Sequence, residues 1–343
     1  MNGLKGAILG SLSLPGFKWA LQPWRRGVGT IFMLHRFNDP DTGARGDDPE
    51  VLRHALAYLR RHRYELVDLA EFFRRLQEGD PRRDLGVAFT LDDGYRDQVE
   101  VAGPVFAEFD CPATVFVTTG FVDRRLWQWW DRIEYVFEQA PRTNLEVELG
   151  GALLPYRWDS TTGLASAQAD FIARCKLVPD AEKHAAILRL AAAAGVELPA
   201  DAPRQYQPMT WENLVAWERR GMRFGPHTVH HPILSRTSDE QSRSELREAW
   251  TRLSAVAASP TPVFCYPNGQ PEDFGHREID TLREIGLIGA VVGSPGYAEV
   301  EEFRARREAP FLVRRFSFPA DDRHVARFVT GAERILHGTG RAS

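Results

Sequence analysis

Short apolar runs ending in glycine-bearing or polar turns recur along the chain, separated by segments with apolar residues at helical spacing. Val28 to Leu34, Val87 to Leu91, Pro112 to Thr118, Met222 to Pro226, Pro262 to Cys265, Leu287 to Val292 and Phe311 to Phe318 read as short strands. Between them, Pro49 sits at a first-turn position of a helix to about His62, with Val51, Leu52, Ala55, Leu56 and Leu59 on one face. Leu66 and Val67 are extended, and Asp68 caps a helix through Leu76. Further helices start at Pro104, run from Asp239 to about Ala258 and from Glu278 to Ile285, and finish with Val325–Leu336 over the exterior. Strand, helix, strand at this spacing is a βαβ unit, so the pattern predicts an α/β fold with a mostly parallel sheet.

Residues 121–221 have a different texture. Leu126–Phe137 is strongly helical with aromatic residues on one side, Leu145 to Trp158 reads as a hairpin, and Ala165–Leu177 and Ala181–Ala194 read as helices. Thr210 caps another helix through Arg220. This stretch is expected to be a mostly helical insertion bordering the cleft. Trp127, Trp129 and Trp130 suit either sugar stacking or anchorage, and anchorage is the stronger expectation. The organisation expected is an N-terminal amphipathic segment (1–27), one domain (28–330) interrupted by 121–221, and a C-terminal tail (331–343).

Composition narrows the setting. At 343 residues the chain is long enough to bury a large core, and its 26% charged content is that of an ordinary globular protein. A net charge of -4 supplies no electrostatic reason to expect nucleic acid. Cys111, Cys175 and Cys265 form no CxxC pair, so neither a disulfide framework nor a thiolate zinc site is indicated. The apolar run Ala7 to Leu14 lacks a clean cleavage site before Pro15, Gly16 and Lys18, and is too short to span a bilayer. Residues 7–24, with Phe17, Trp19, Leu21 and Trp24 beside Lys18, Arg25 and Arg26, suit either the domain's own surface or a peripheral membrane contact. A cytoplasmic or inner-membrane-associated location is the expectation.

The chemistry concentrates in two places. Asp92-Asp93-Gly94 ends a predicted strand, where a glycine turn lets both carboxylates reach one cleft, although in isolation such a triplet reads as a solvated turn. His227 and His231, four apart after another strand, would face the same way on a helical turn, with His230 out of phase. Two neutral imidazoles and one carboxylate make a common divalent-metal set. No HExxH is present, so the base must come from elsewhere, and the aspartate pair offers one ligand and one base.

These motifs resemble those of the polysaccharide deacetylase family, the NodB-homology group of carbohydrate esterases. Thr90-Leu-Asp-Asp-Gly94 matches the family's Thr-Phe-Asp-Asp-Gly apart from Leu91, and His227-Thr-Val-His-His231-Pro232 matches its His-Ser/Thr-x-x-His-Pro. The similarity spans about Ile31 to Thr118 and Gly221 to Phe318, with the insertion outside it. It implies a distorted (β/α)7 barrel of the NodB-homology type. It also implies Asp92 as catalytic base and Asp93, His227 and His231 as metal ligands. Phe264-Cys-Tyr-Pro-Asn-Gly269 resembles the Phe-x-Tyr-Pro-x-Gly form of the third motif, which places an oxyanion-stabilising backbone N–H on Asn268. Cys265 stands where other members carry the arginine that orients the base, leaving Arg314, Arg315 and Arg96 as substitutes. The usual C-terminal catalytic histidine is missing from Phe311–Phe316. Met33-Leu-His-Arg-Phe37 resembles an N-terminal segment that supplies a histidine in some relatives, making His35 the preferred general acid, ahead of His276 and His324.

The resemblance therefore implies metal-dependent removal of N-acetyl groups from an amino-sugar-containing polysaccharide or glycolipid. Zinc is the first choice, with Co2+, Ni2+ and Mn2+ also suited to the ligands. The alternatives are a deacetylase or deformylase of a lipid-linked sugar intermediate, and a carbohydrate-binding relative without activity. A glycosidase would need two carboxyls about 5–9.5 Å apart across a glycosidic bond, and adjacent aspartates with a histidine pair serve a metal better. Oligomeric state is not encoded in any pattern of the sequence.

Overall fold

The computed structural model describes residues 25–321 and 324–336. The amphipathic segment proposed for membrane contact lies almost entirely outside them. Ten strands are formed among the described residues: β1 (Val28–Leu34), β2 (Gly86–Asp93), β3 (Ala113–Val117), β4 (Asn144–Leu149), β5 (Ala152–Arg157), β6 (Arg223–Pro226), β7 (Val263–Cys265), β8 (Gly289–Val291), β9 (Ala298–Glu299) and β10 (Phe316–Ser317).

The main sheet runs β10-β1-β2-β3-β6, all parallel, with β9 antiparallel on β1. Its centre is β2, buried along its whole length, as a parallel strand covered on both faces must be. β7 and β8 pair in parallel as a separate unit, which the Thr261 N–H joins to the end of the main sheet through the Phe224 carbonyl at 2.7 Å. On its other side β8 bridges to Val313, and the same segment reaches β1 through Phe316 and Ser317. The parallel elements thus close on themselves, and the thin β6–β7 joint is where the barrel is distorted. This is the α/β barrel type that the resemblance implied.

Local sequence accounts for most helices. Asp48, Asp68, Ser160, Thr210 and Ser238 each accept from a backbone N–H of the first turn that follows. Three expectations need correction. The helix expected from Leu126 begins at Trp129, because Gln128 stays extended while Trp127 packs on Tyr135 and Tyr206. The expected strand Phe311–Phe318 contracts to Phe316–Ser317, because Ala309–Phe311 forms a 3-10 turn. The final helix breaks into Val325–Val329 and Ala332–Leu336, because Gly331 takes a left-handed φ of 80° at the junction.

Residues 129–194 build a core of their own, with Ile133, Phe137, Val147, Phe171, Ile187 and Leu190 at its centre. Trp127 and Trp129 are buried in anchoring positions, whereas Trp130 stays half-buried. Because the barrel strands run parallel, the ends carrying His35, Asp92, Asp93, His227 and Cys265 all lie on one rim, where such folds assemble sites.

Candidate metal centre

Straight-strand geometry would send Asp92 and Asp93 to opposite faces. Asp93 and Gly94 instead take φ of 88° and 92°, and this left-handed kink turns both carboxylates toward His227. An aspartate at positive φ costs roughly 1–3 kcal/mol and persists only where its surroundings hold it. Here the Thr118 N–H donates to the Asp93 carbonyl at 3.1 Å, and the Met209 N–H to that of Gly94 at 2.9 Å.

The histidine motif is not a helical turn, contrary to the spacing argument. Thr228 and His231 have φ of 64° and 54°, so the loop curls with its carbonyls directed at the short helix after β3. The N–H groups of Thr119 and Gly120 donate to the carbonyls of Thr228 and Val229, at 3.1 and 2.9 Å. From the other side, Glu245 accepts the N–H groups of Val229 and His230, at 2.8 and 2.9 Å, and meets the His230 ring. These external partners replace the hydrogen bonds a helix would have made, and His230 is turned away from the cluster.

Asp93, His227 and His231 converge, with Nε2 of each histidine 3.4 Å from Asp93 Oδ1 and all ligand atoms within 4.8 Å. Tetrahedral coordination with bonds of about 2.1 Å separates ligand atoms by about 3.4 Å, so the cluster fits a divalent ion with little adjustment. The Nδ1–H of His227 donates to the Cys265 carbonyl at 2.7 Å, leaving Nε2 as the donor atom toward the cluster. Burial, reinforced by the neighbouring His227, pushes His231 down to about 3, which keeps that imidazole neutral for ligation. A second group, Asp92 with His227 and Cys265, is also compact. It suits a metal less well, because burial pushes the Cys265 thiol up and both Asp92 oxygens are engaged by a cation.

That cation is Arg315, one of the three arginines that the sequence left open. Its guanidinium holds Asp92 through bonds of 2.7 and 2.8 Å and donates to Thr90 Oγ1 at 3.0 Å. Burial pushes the Asp92 carboxyl up, but the charge and hydrogen bonds of Arg315 outweigh it and hold Asp92 well below the usual carboxylate range. Cys265 sits against the pair, its sulfur 3.4 Å from Asp92 and 3.2 Å from Arg315. The arginine missing from the third motif is therefore supplied from just before β10. Arg314 pairs with Glu302 and Arg96 with Glu100, whereas Arg315 holds Asp92.

His35 lies at the mouth, its side chain half exposed and its Nε2 3.9 Å from Asp92 Oδ2. Gln98 was not singled out from the sequence. It is buried in a single π-helical turn (Gln98–Ala102), and its amide donates to the backbone carbonyls of both His35 and Asp92. Only its place beside a motif could have flagged it. Asn268, at φ of 60°, follows Pro267 on the loop after β7, and its side chain accepts from Lys176 Nζ at 2.6 Å. The backbone N–H of Asn268 makes no hydrogen bond among the described residues. His276 is exposed at the start of its helix, and His324 precedes the short helix Val325–Val329.

The polysaccharide deacetylase family model matches residues 178–287, a segment carrying His227, His231 and the third-motif loop. No curated protein matches the sequence significantly. Solved structures with the same fold include the Streptococcus pyogenes deacetylase PplD, at TM-score 0.57 and 15% identity over 89% of this chain and 99% of that one. IcaB from Ammonifex degensii aligns at TM-score 0.53 and 15% identity, covering 89% and 97%. A de-N-acetylase from Aggregatibacter actinomycetemcomitans aligns at 0.51 and 11%, covering 85% and 95%. At such identities the likeness is one of fold. The matched segment brings His227 and His231 to Asp93, in a cluster of side chains that could hold a metal ion. No described helix is long and apolar enough to cross a membrane.

Proposed function

We propose that the protein removes N-acetyl groups from an amino-sugar-containing polysaccharide or glycolipid, releasing acetate. The observation that carries this reading is the division between two adjacent aspartates. Asp93 shares the cluster with His227 and His231, while Asp92 is reserved by Arg315 as a carboxylate.

Asp93, His227 and His231 would hold the ion, zinc by preference for two imidazoles and a carboxylate. When bound it supplies Lewis acidity toward the acetyl carbonyl and lowers the pKa of water. Asp92 accepts the proton of the attacking water. Because Arg315 favours the charged form, Asp92 is ready as a base throughout the neutral range. The Asn268 N–H offers a donor to the oxygen on which negative charge develops. His35, near Asp92 and open to solvent, donates a proton to the departing sugar nitrogen, because an amine anion is a very poor leaving group. Adjacent carboxylates sharing His227 do not suit the spaced pair of a glycosidase.

The test is acetate release from a panel of N-acetylated oligosaccharides, polysaccharides and lipid-linked sugars. Release should stop on chelation and return with zinc or cobalt. Asp92→Asn should keep its metal and lose activity, while His227→Ala and His231→Ala should lose both. Chelator-resistant turnover, or an Asp92→Asn variant near the wild-type rate, would refute the proposal.

A further inference from the structure

The two histidines enter the metal cluster with unequal support. His227 has the Cys265 carbonyl behind Nδ1, the kind of outer partner that fixes the tautomer and ring plane of a metal-binding imidazole. Nδ1 of His231 is buried and has no hydrogen-bond partner among the described residues. What His231 has is a ring beside it. The indole of Trp130 meets it edge to face, with centroids 4.6 Å apart and planes at 71°.

Trp130 is itself held in place. Its Nε1–H donates to Tyr95 Oη at 3.0 Å, and the Tyr95 hydroxyl donates to Asp131 Oδ2 at 2.7 Å. The Arg36 guanidinium covers the Tyr95 ring at 3.9 Å and is fixed in turn by Asp97 at 2.8 Å. Tyr95 is fully buried two residues after Asp93, and Trp130 and Asp131 open the first turn of the insertion helix Trp129–Gln139. One chain of donors therefore runs from the insertion to the turn carrying the metal-binding aspartate, and its indole rests on the less supported histidine.

We infer that Trp130, clamped by Tyr95 and Asp131, is a positioning residue for His231, so that the insertion sets the affinity and geometry of the metal site in the barrel. The inference rests on the proposed metal role of Asp93, His227 and His231. An imidazole lacking an acceptor at Nδ1 can turn about its Cβ–Cγ bond, and the indole edge removes that freedom. Losing an outer partner of a metal ligand typically weakens metal binding by roughly 10–100-fold.

The experiment titrates the full metal-free chain with Zn2+ against a chromophoric chelator and records the visible spectrum of the Co2+ form. Trp130→Ala should weaken Zn2+ binding by roughly 10–100-fold and alter the Co2+ bands. Trp130→Phe, which keeps an aromatic edge, should retain most of the affinity. Tyr95→Phe, which removes the indole's acceptor, should fall between them. Tyr156→Phe breaks a 2.7 Å bond to Asp170 inside the same insertion, away from His231, and should change nothing. Wild-type affinity and spectrum in Trp130→Ala would overturn the inference. So would an equal loss in Tyr156→Phe, which would signal general loosening. If Trp130→Ala does not fold, unchanged affinity and Co2+ bands in both Trp130→Phe and Tyr95→Phe overturn it instead. A wild-type chain that binds no Zn2+ would overturn the metal reading beneath it.

Discussion

Replacing Arg315 with Met should be among the most damaging single changes in the barrel, and its cost can be worked from the structure. Arg315 is 1% exposed and Asp92 4%, so water cannot replace the lost partner. Truncating one member of a buried pair costs about 3–5 kcal/mol, because the other charge stays buried and uncompensated. The Val292 carbonyl, Thr90 and the Cys265 sulfur also lose a donor, which favours the upper part of that range. The assay is urea unfolding of the metal-free protein at neutral pH, comparing Arg315→Met, Asp92→Asn and the double variant. Removing the stranded charge should make the double variant more stable than Arg315→Met, giving a large coupling in the cycle. The pH dependence has a definite sign. In the wild type Asp92 is held below its unfolded value near 3.9, so its stabilisation is present above that pH and lost as pH falls further. In Arg315→Met burial, which raises the folded value, is opposed only by the weaker pull of His35 and His227, and protonation relieves the strain. The stability gap to wild type should therefore narrow as pH is lowered. A cost under about 1 kcal/mol, the worth of an exposed pair, would refute the reasoning. A double variant no more stable than Arg315→Met would do the same.

Two further outcomes test other parts of the reading. His35→Ala should keep its metal and slow amide hydrolysis by roughly 10²–10⁴-fold, with a smaller loss on activated acetate esters that need little protonation; equal losses on both would make His35 structural. Burial, helped by Lys183, pushes His184 down to about 4, so below its ordinary 6.5 the unfolded chain takes up a proton that the folded one resists. Stability should thus decline as pH falls from about 6.5 toward 4, and His184→Gln should flatten that slope in a series of urea midpoints; an unchanged slope would show that His184 is not shielded from protonation.

Much of the architecture was legible because it obeys short-range rules. Apolar runs of strand length, Asp68 and Thr210 as caps, and the hairpin within Leu145 to Trp158 each depend on a few neighbouring residues. The aspartate and histidine motifs were legible for a related reason, since parallel strands deliver their following residues to one rim whatever their separation in the chain. What the sequence could not decide was which distant side chains meet. Arg314, Arg315 and Arg96 were equal candidates until barrel closure set residue 315 against residue 92. Local spacing misjudged the His227–His231 loop, because its backbone partners are Thr119, Gly120 and Glu245, brought by other elements. Gln98 carried no signal of its own and Trp130 only that of an anchoring or sugar-stacking aromatic, since either side chain acquires its place beside a histidine or a carbonyl only from packing. Periodicity and capping are written into adjacent residues, whereas the partner of a buried charge or a ligand's ring is set only when the chain has folded.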